Sequence, residues 1–225
     1  MRNFIAFFVL FLLLITIFPG FIYSQDTWFV VSSLETAQNL QCVFFLTDDL
    51  GWVGADSCLV FKTTDGGNTW ERIYVGTGSS SNFPIYDIQF INQDSGFVGS
   101  QEGDFYVTTD GGASWIYKSG ATSIFTGYHI YGLYFQNALD GWIVGGNGKI
   151  AYTNDAGDNW TQKDLSTTST FYDIEFISNK GWIVGYNNEI FHTTDNGTNW
   201  VSQGDTLAVM LNMVWILLMK ILAGL

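Results

Sequence analysis

Thr63-Thr64-Asp65-Gly66-Gly67-Asn68-Thr69-Trp70 is the stretch on which the reading of this chain turns. The pattern returns as Thr108–Trp115 (TTDGGASW), Thr153–Trp160 (TNDAGDNW) and Thr193–Trp200 (TTDNGTNW), with the shared form Thr-x-Asp-x-Gly-x-x-Trp. Asp65, Asp110, Asp155 and Asp195 stand 45, 45 and 40 residues apart. Self-similarity at such a period marks a repeat architecture, in which one small unit packs on copies of itself.

Outward from the motif, each unit reads as four short strands. The first alternates apolar or aromatic residues with others: Gln41-x-Val43-x-Phe45, Tyr86-x-Ile88-x-Phe90, Tyr131-x-Leu133-x-Phe135 and Tyr172-x-Ile174-x-Phe176. Period two is the signature of a strand. The second opens on a glycine and an aromatic residue (Gly51-Trp52, Gly96-Phe97, Gly141-Trp142, Gly181-Trp182) and ends in a Gly- or Asn-rich turn. The third runs into the motif, and the fourth begins at its Trp. Four antiparallel strands per unit make a β-propeller blade, and the absence of a 3.6-residue period excludes helical repeats of similar length. The expected fold is all-β, with a repeat region over 25–205 and blades at about 40–76, 85–118, 130–163 and 171–203. Four full repeats are few for a closed propeller, so the ring is read as incomplete. Trp28-Phe29-Val30-Val31-Ser32 matches the fourth strands that begin at each motif Trp and reads as a closing strand at 28–32.

The ends and the composition bound location and partners. Residues 1–24 read as a cleaved signal peptide: Arg2, an apolar run from Phe4 to Phe18, a break at Pro19-Gly20, and cleavage after Ser24. That places the protein outside the cytoplasm, whether secreted, periplasmic or at the cell surface. The net charge of −13 repels phosphate backbones, so no nucleic acid is expected as a partner. Cys42 and Cys58 fall in one unit, 16 residues apart, in a compartment that permits disulfides. In a hairpin of the first two strands Cys42 lies near residue 55. A disulfide is one reading; a buried thiol beside a partly exposed one is the other.

The motif has a mechanical explanation. An Asp at a turn accepts hydrogen bonds from backbone N–H groups one to three residues on. Gly67, Gly112, Gly157 and Gly197 supply positive φ. Trp70, Trp115, Trp160 and Trp200 supply apolar plates for the neighbouring unit. Each Asp stands alone, without the clustered oxygen ligands that calcium requires. No metal and no cofactor is expected.

At these residues the chain resembles the Asp-box, or bacterial neuraminidase, repeat. The longer unit, Gly-Trp-x-Val-Gly followed by the motif, resembles the photosystem II stability and assembly factor family, over roughly residues 28–205. The resemblance implies a β-propeller, commonly seven-bladed, with its Asp-box turns on the rim away from the functional face. It also implies a binding or assembly role, since photosynthetic members bind a reaction-centre subunit through an Arg-rich patch. After the leader, this chain has a single Arg, Arg72.

Two functional classes remain. Asp-box sialidases hold their substrate's carboxylate with three Arg, which this chain lacks. Other Asp-box propellers hydrolyse glucans with two carboxylates, for which Asp87 and Asp173 are the candidates. The preferred reading is a non-catalytic scaffold with a protein partner, a glycan being the alternative. Tyr86, Tyr131 and Tyr172, at equivalent starts of the first strands, either pack in the core or ring one mouth of the central channel; core packing is preferred. Tyr128 and His129, in the longest connection, are the next candidates. His192 reads as an ordinary strand residue.

Leu207–Leu225 turns apolar, with Asn212 and Lys220 interrupting it. A membrane anchor, a core helix and a frameshift are three readings. Permitted codons from Asn212, read two bases on, spell Tyr-Gly-Met-Asp-Phe-Ile-Asp-Glu-Asn-Thr-Gly-Trp, the start of a fifth repeat, and this third reading fits best. Sequencing the DNA beyond the Asp205 codon tests it. Further Asp motifs in the alternative frame are the expected result, and an immediate stop there rejects the idea.

Overall fold

The computed structural model describes residues 34, 36–76 and 83–203. These all belong to the compact unit that begins at Leu34. The leader, the strand read at 28–32 and the apolar tail lie outside the described residues.

Among the described residues, sixteen strands form four antiparallel sheets, each of four strands in chain order. Blade 1 comprises β1 (Leu40–Phe45), β2 (Gly51–Ala55), β3 (Leu59–Thr63) and β4 (Glu71–Tyr74). Blade 2 comprises β5 (Ile85–Phe90), β6 (Gly96–Ser100), β7 (Phe105–Thr108) and β8 (Ile116–Lys118). A short helix, α1 (Thr122–Phe125), leads to β9 (Ile130–Phe135), β10 (Gly141–Gly145), β11 (Ile150–Thr153) and β12 (Thr161–Lys163) of blade 3. Blade 4 is β13 (Phe171–Ile177), β14 (Lys180–Gly185), β15 (Ile190–Thr193) and β16 (Val201–Ser202). The first strands neighbour one another in series, β1 to β5 to β9 to β13, as the inner wall of a propeller arc. Among the described residues the ring is not closed. Ile85, Ile88 and Phe90 are buried against blade 1, whereas their counterparts Leu40, Val43 and Phe45 are exposed.

A recurring aromatic clamp joins the blades. Phe90 stacks on Trp52 of blade 1 at 3.5 Å, and Phe135 stacks on Phe97 of blade 2 at 3.6 Å. Phe176 meets Trp142 of blade 3 at 6.0 Å. Each ring also meets the motif Trp of its own blade edge-on: Trp115 at 6.0 Å, Trp160 at 6.2 Å and Trp200 at 5.7 Å. Edge-to-face and offset pairs contribute about 0.5–1.5 kcal/mol each beyond area burial. The motif Trp also reaches back to the preceding blade, as Trp160 does to Phe105 (5.2 Å) and Trp200 to Trp142 (5.9 Å).

The Asp motif locks the turn that carries this Trp. In all four copies the Thr hydroxyl donates to the Asp carboxylate at 2.7–2.8 Å. The same buried oxygen accepts the N–H of the Gly four residues on, at 2.8–3.0 Å. The carboxylate accepts the backbone N–H of Thr69, Ser114, Asn159 or Asn199, and that residue's side chain as well. The reach is thus four residues rather than one to three, because the glycine at positive φ folds the intervening backbone around the carboxylate. These bonds hold Asp65, Asp110 and Asp155 below the usual carboxylate range, chiefly through the side chain four residues on. Asp195 falls to about 2, chiefly through the Asn199 N–H. Stability from such depressed groups is complete above the unfolded carboxylate pKa of about 4 and is lost as pH falls through the folded value.

The two cysteines are not joined to each other, which corrects the disulfide reading. Cys42 pairs with Gly54 and turns its Sγ towards blade 2, 3.6 Å from the Ile85 carbonyl oxygen. Cys58 sits in the turn after β2, its N–H bonded to the Phe83 carbonyl. Burial pushes the Cys42 thiol well up, so it is not an activated nucleophile.

The glycine near the start of each second strand leaves room for the phenyl ring of the inner strand, which in blades 2 to 4 is the clamped one. A Cβ on Gly96 would stand 2.5 Å from Phe90, and one on Gly181 would stand 2.5 Å from Phe176. Phe90 is buried against Trp52 and Trp115 and has little room to yield. Gly96→Ala is therefore expected to cost about 1–3 kcal/mol in urea unfolding, the usual cost of overpacking. A loss below about 0.5 kcal/mol, the level of an ordinary surface change, would show that the clamp is loose.

Candidate binding face

The inner strands share an irregularity that positions the tyrosines. Ile85 pairs with Ser100 and Asp87 with Gly99, so Tyr86 has no partner across the ladder. The same one-residue bulge falls at Gln41, Tyr131 and Tyr172. A bulge leaves its extra residue outside the ladder and re-aims its side chain. Ile88 and Phe90 consequently enter the core while Tyr86 does not, although strict alternation would place all three on one face.

Freed in this way, the tyrosines touch across blades. Tyr86 lies 4.9 Å from Tyr131, and Tyr131 lies 5.8 Å from Tyr172, measured between ring centres. His129 stacks on Tyr86 at 5.5 Å and meets Tyr131 edge-on at 5.6 Å. The ladder is a surface feature rather than core packing: Tyr86 and Tyr131 are half-buried and Tyr172 is exposed. Burial, with the adjacent phenol of Tyr131 for Tyr86 and of Tyr172 for Tyr131, raises the pKa of both groups. They remain neutral hydroxyl donors at physiological pH. The Glu102 N–H donates to His129 Nδ1 at 3.2 Å, which holds the imidazole beside the two tyrosines. In blade 1 Gln41 occupies the tyrosine position, and its amide is bonded to Asp56. The ladder therefore begins at Tyr86.

Beside Tyr131 lies a cavity of about 330 Å³, lined by Tyr128, His129, Asn147, Thr168 and Thr170 among others. A second cavity, about 400 Å³, lies at the other end of blades 3 and 4 among their Asp-box turns, and includes Trp142, Lys163 and Thr198. The Asp motifs come directly after the third strand, so they sit at the opposite end of each blade from the tyrosines. The N–H of Gly66 bonds the Asp49 carbonyl in the turn between β1 and β2, and Gly111 does the same to Asp94.

Asp87 performs structural work. One carboxylate oxygen accepts the Ile88 N–H and the other the Leu133 N–H of blade 3, both at 2.8 Å. Two residues on, the Gln89 amide accepts the Phe135 N–H (2.6 Å) and donates to the Phe135 carbonyl (3.2 Å). These side chains stitch β5 to the inner strand of the next blade. On β13, Asp173 accepts the Ile174 N–H as Asp87 accepts that of Ile88. Burial pushes the Asp87 carboxyl up to about 7, against its two N–H donors and with help from Asp173 and Glu175. His192 is a strand residue stacked on Trp182 at 4.9 Å. Among the described residues no group of three or more His, Cys, Asp or Glu is placed to hold a metal ion, and no helix is long and apolar enough to cross a membrane.

The Asp87 shift has a defined sign. A carboxyl raised from about 4 unfolded to about 7 folded contributes stability that is full below pH 4 and lost as pH rises through 7. Asp87→Asn is expected to flatten this slope, by at most about 4 kcal/mol across the window, in urea titrations from pH 4 to 8. An unchanged slope would place the proton elsewhere.

Solved structures share this arc. YCF48 bound to D1 peptide matches with a TM-score of 0.54 at 15% identity, covering 77% of this chain and 84% of that one. YCF48 from Cyanidioschyzon merolae matches at 0.61 and 19%, covering 76% and 57%. An ancestral GH74 enzyme matches at 0.56 and 18%, but only 23% of its chain is covered. No curated protein matches. The family model for the photosynthesis system II assembly factor YCF48 matches residues 22–119, 81–167 and 121–207 in three overlapping passes. With its four Asp-box blades, this chain belongs to that family.

Proposed function

We propose that this protein is a non-catalytic scaffold, exported by its leader, that holds an extended segment of a partner protein across the tyrosine face. The observation that carries this is the ladder itself. Three blades spend the same bulge on presenting a tyrosine at one end of the arc, at touching distance, where core packing has no use for it. Tyrosines offer large, rigid contact area at low entropic cost, together with a hydroxyl donor. That a YCF48 structure holds a peptide supports a protein ligand. Arg72 lies on the outer strand β4 of blade 1, so no Arg-rich patch serves this face.

The glucan-hydrolase alternative rests on Asp87 and Asp173. The Asp87 carboxyl has the pKa of a general acid, yet both its oxygens are engaged by backbone N–H groups within the blade contact. A scaffold is therefore the better reading.

Selection of random displayed peptides on the purified chain tests it, with counter-screening on Tyr131→Ser/Tyr172→Ser. Two ring contacts of about 0.5–1.5 kcal/mol each predict a loss of roughly 5- to 150-fold in affinity. Clones that bind both proteins equally would sink the assignment of the face. Glucan turnover abolished by Asp87→Asn or Asp173→Asn would sink the non-catalytic reading.

A further inference from the structure

The chemistry around the ladder is one-sided. Asp56, in the turn between β2 and β3, lies close enough to Tyr86 to act on its phenol. Glu102, in the corresponding turn of blade 2, abuts His129 through its backbone. One residue along the inner strands from Tyr86 and Tyr172 stand Asp87 and Asp173, and these two carboxyls sense each other across blade 3. Gly132 makes that approach possible. It holds the equivalent position between them, and a Cβ there would stand 2.8 Å from the Asp173 Cα. Acidic residues thus flank the ladder on the turns, and Asp173 stands one residue from Tyr172 on the inner wall, while the two oxygens of Asp87 are engaged by backbone N–H groups.

Four of the described cations lie over aromatic rings, while Lys118 pairs with the Asp158 carboxylate. Lys149, at the tyrosine end, lies over the ring of Tyr128 at 6.0 Å. Elsewhere Lys62 lies over Trp52, Arg72 over Tyr74 and Lys163 over Tyr152. An aromatic face attracts cations through its quadrupole, and neighbouring carboxylates add to the attraction.

Building on the binding role proposed above, we infer that the segment held on the ladder is cationic: an extended peptide whose Lys or Arg side chains lie on Tyr86, Tyr131 and Tyr172 and extend towards Asp173. Extended chain suits the site because alternate side chains of a strand point the same way at a spacing of about 7 Å, which long, flexible Lys or Arg side chains can adjust to the shorter 4.9 and 5.8 Å steps between the rings. This reverses the charge that an Arg-rich receptor would select.

The test uses the full chain labelled with 3-fluorotyrosine and followed by ¹⁹F NMR, titrated with a nonapeptide of alternating Lys and Gly. Two matched peptides carry norleucine or Glu in place of Lys. Binding of the Lys peptide should shift the Tyr86, Tyr131 and Tyr172 signals and exceed that of the norleucine peptide. Tyr131→Leu, which keeps apolar area but removes the quadrupole, should weaken it by roughly 2- to 30-fold. Tyr172→Leu, at an exposed position, provides the same reading if the first variant folds poorly. Equal shifts with the norleucine peptide, or stronger ones with the Glu peptide, would overturn the cationic ligand and leave the binding face standing. Shifts confined to tyrosines outside the ladder would overturn both.

Discussion

A phenyl ring held between two other aromatic groups recurs three times in this arc, and the architecture depends on it. Phe90, Phe135 and Phe176 each bring together an inner strand, the second strand of the preceding blade and the motif Trp of their own blade. Blade-to-blade adhesion is thereby separated from the hydrogen-bond ladders, which stay within each sheet. The glycines of the second strands and the locked motif turns answer to the same constraint. The former clear space for the ring, and the latter hold the Trp at its edge.

Because the clamp occupies one end of each inner strand, the other end is free to do something else. The bulge separates the two. Beyond it the strand pairs regularly and buries its apolar face; at it, one residue leaves the ladder. In blade 1 that residue is Gln41, tied to Asp56, and in the next three blades it is a tyrosine. The motif end is rigid and repeats closely, while the tyrosine end carries the variable connections, including α1. Rigid scaffolds commonly carry their binding surfaces on such variable edges.

Strand boundaries were legible because turn chemistry and period two agree in every unit, and a third strand such as Ile150–Thr153 falls where the pattern places it. The exposure of the tyrosines was not. Tyr86-x-Ile88-x-Phe90 keeps perfect alternation on paper, and an extra residue in a ladder leaves no mark on the order of residue types. Two other features did leave a signal. Every motif has a hydroxyl or amide side chain just before its Trp, at Thr69, Ser114, Asn159 and Asn199, and each one binds the Asp carboxylate. Asp87-x-Gln89 and Asp173-x-Glu175 place polar pairs on the strand face opposite the core residues, where β5 uses its pair to bind the next blade. The disulfide reading failed for a related reason. Opposition across a hairpin says nothing about which blade a side chain faces, and Cys42 faces blade 2.

The central claim is that the bulge takes the tyrosine column out of the core and makes it a surface. Nitration of the folded protein by tetranitromethane, mapped by mass spectrometry, tests it directly. Within the column Tyr172 is expected to react fastest and Tyr86 and Tyr131 next, with the buried Tyr106 lagging well behind all three. Protection of Tyr86, Tyr131 and Tyr172 to the level of Tyr106 would contradict it and return the column to the core.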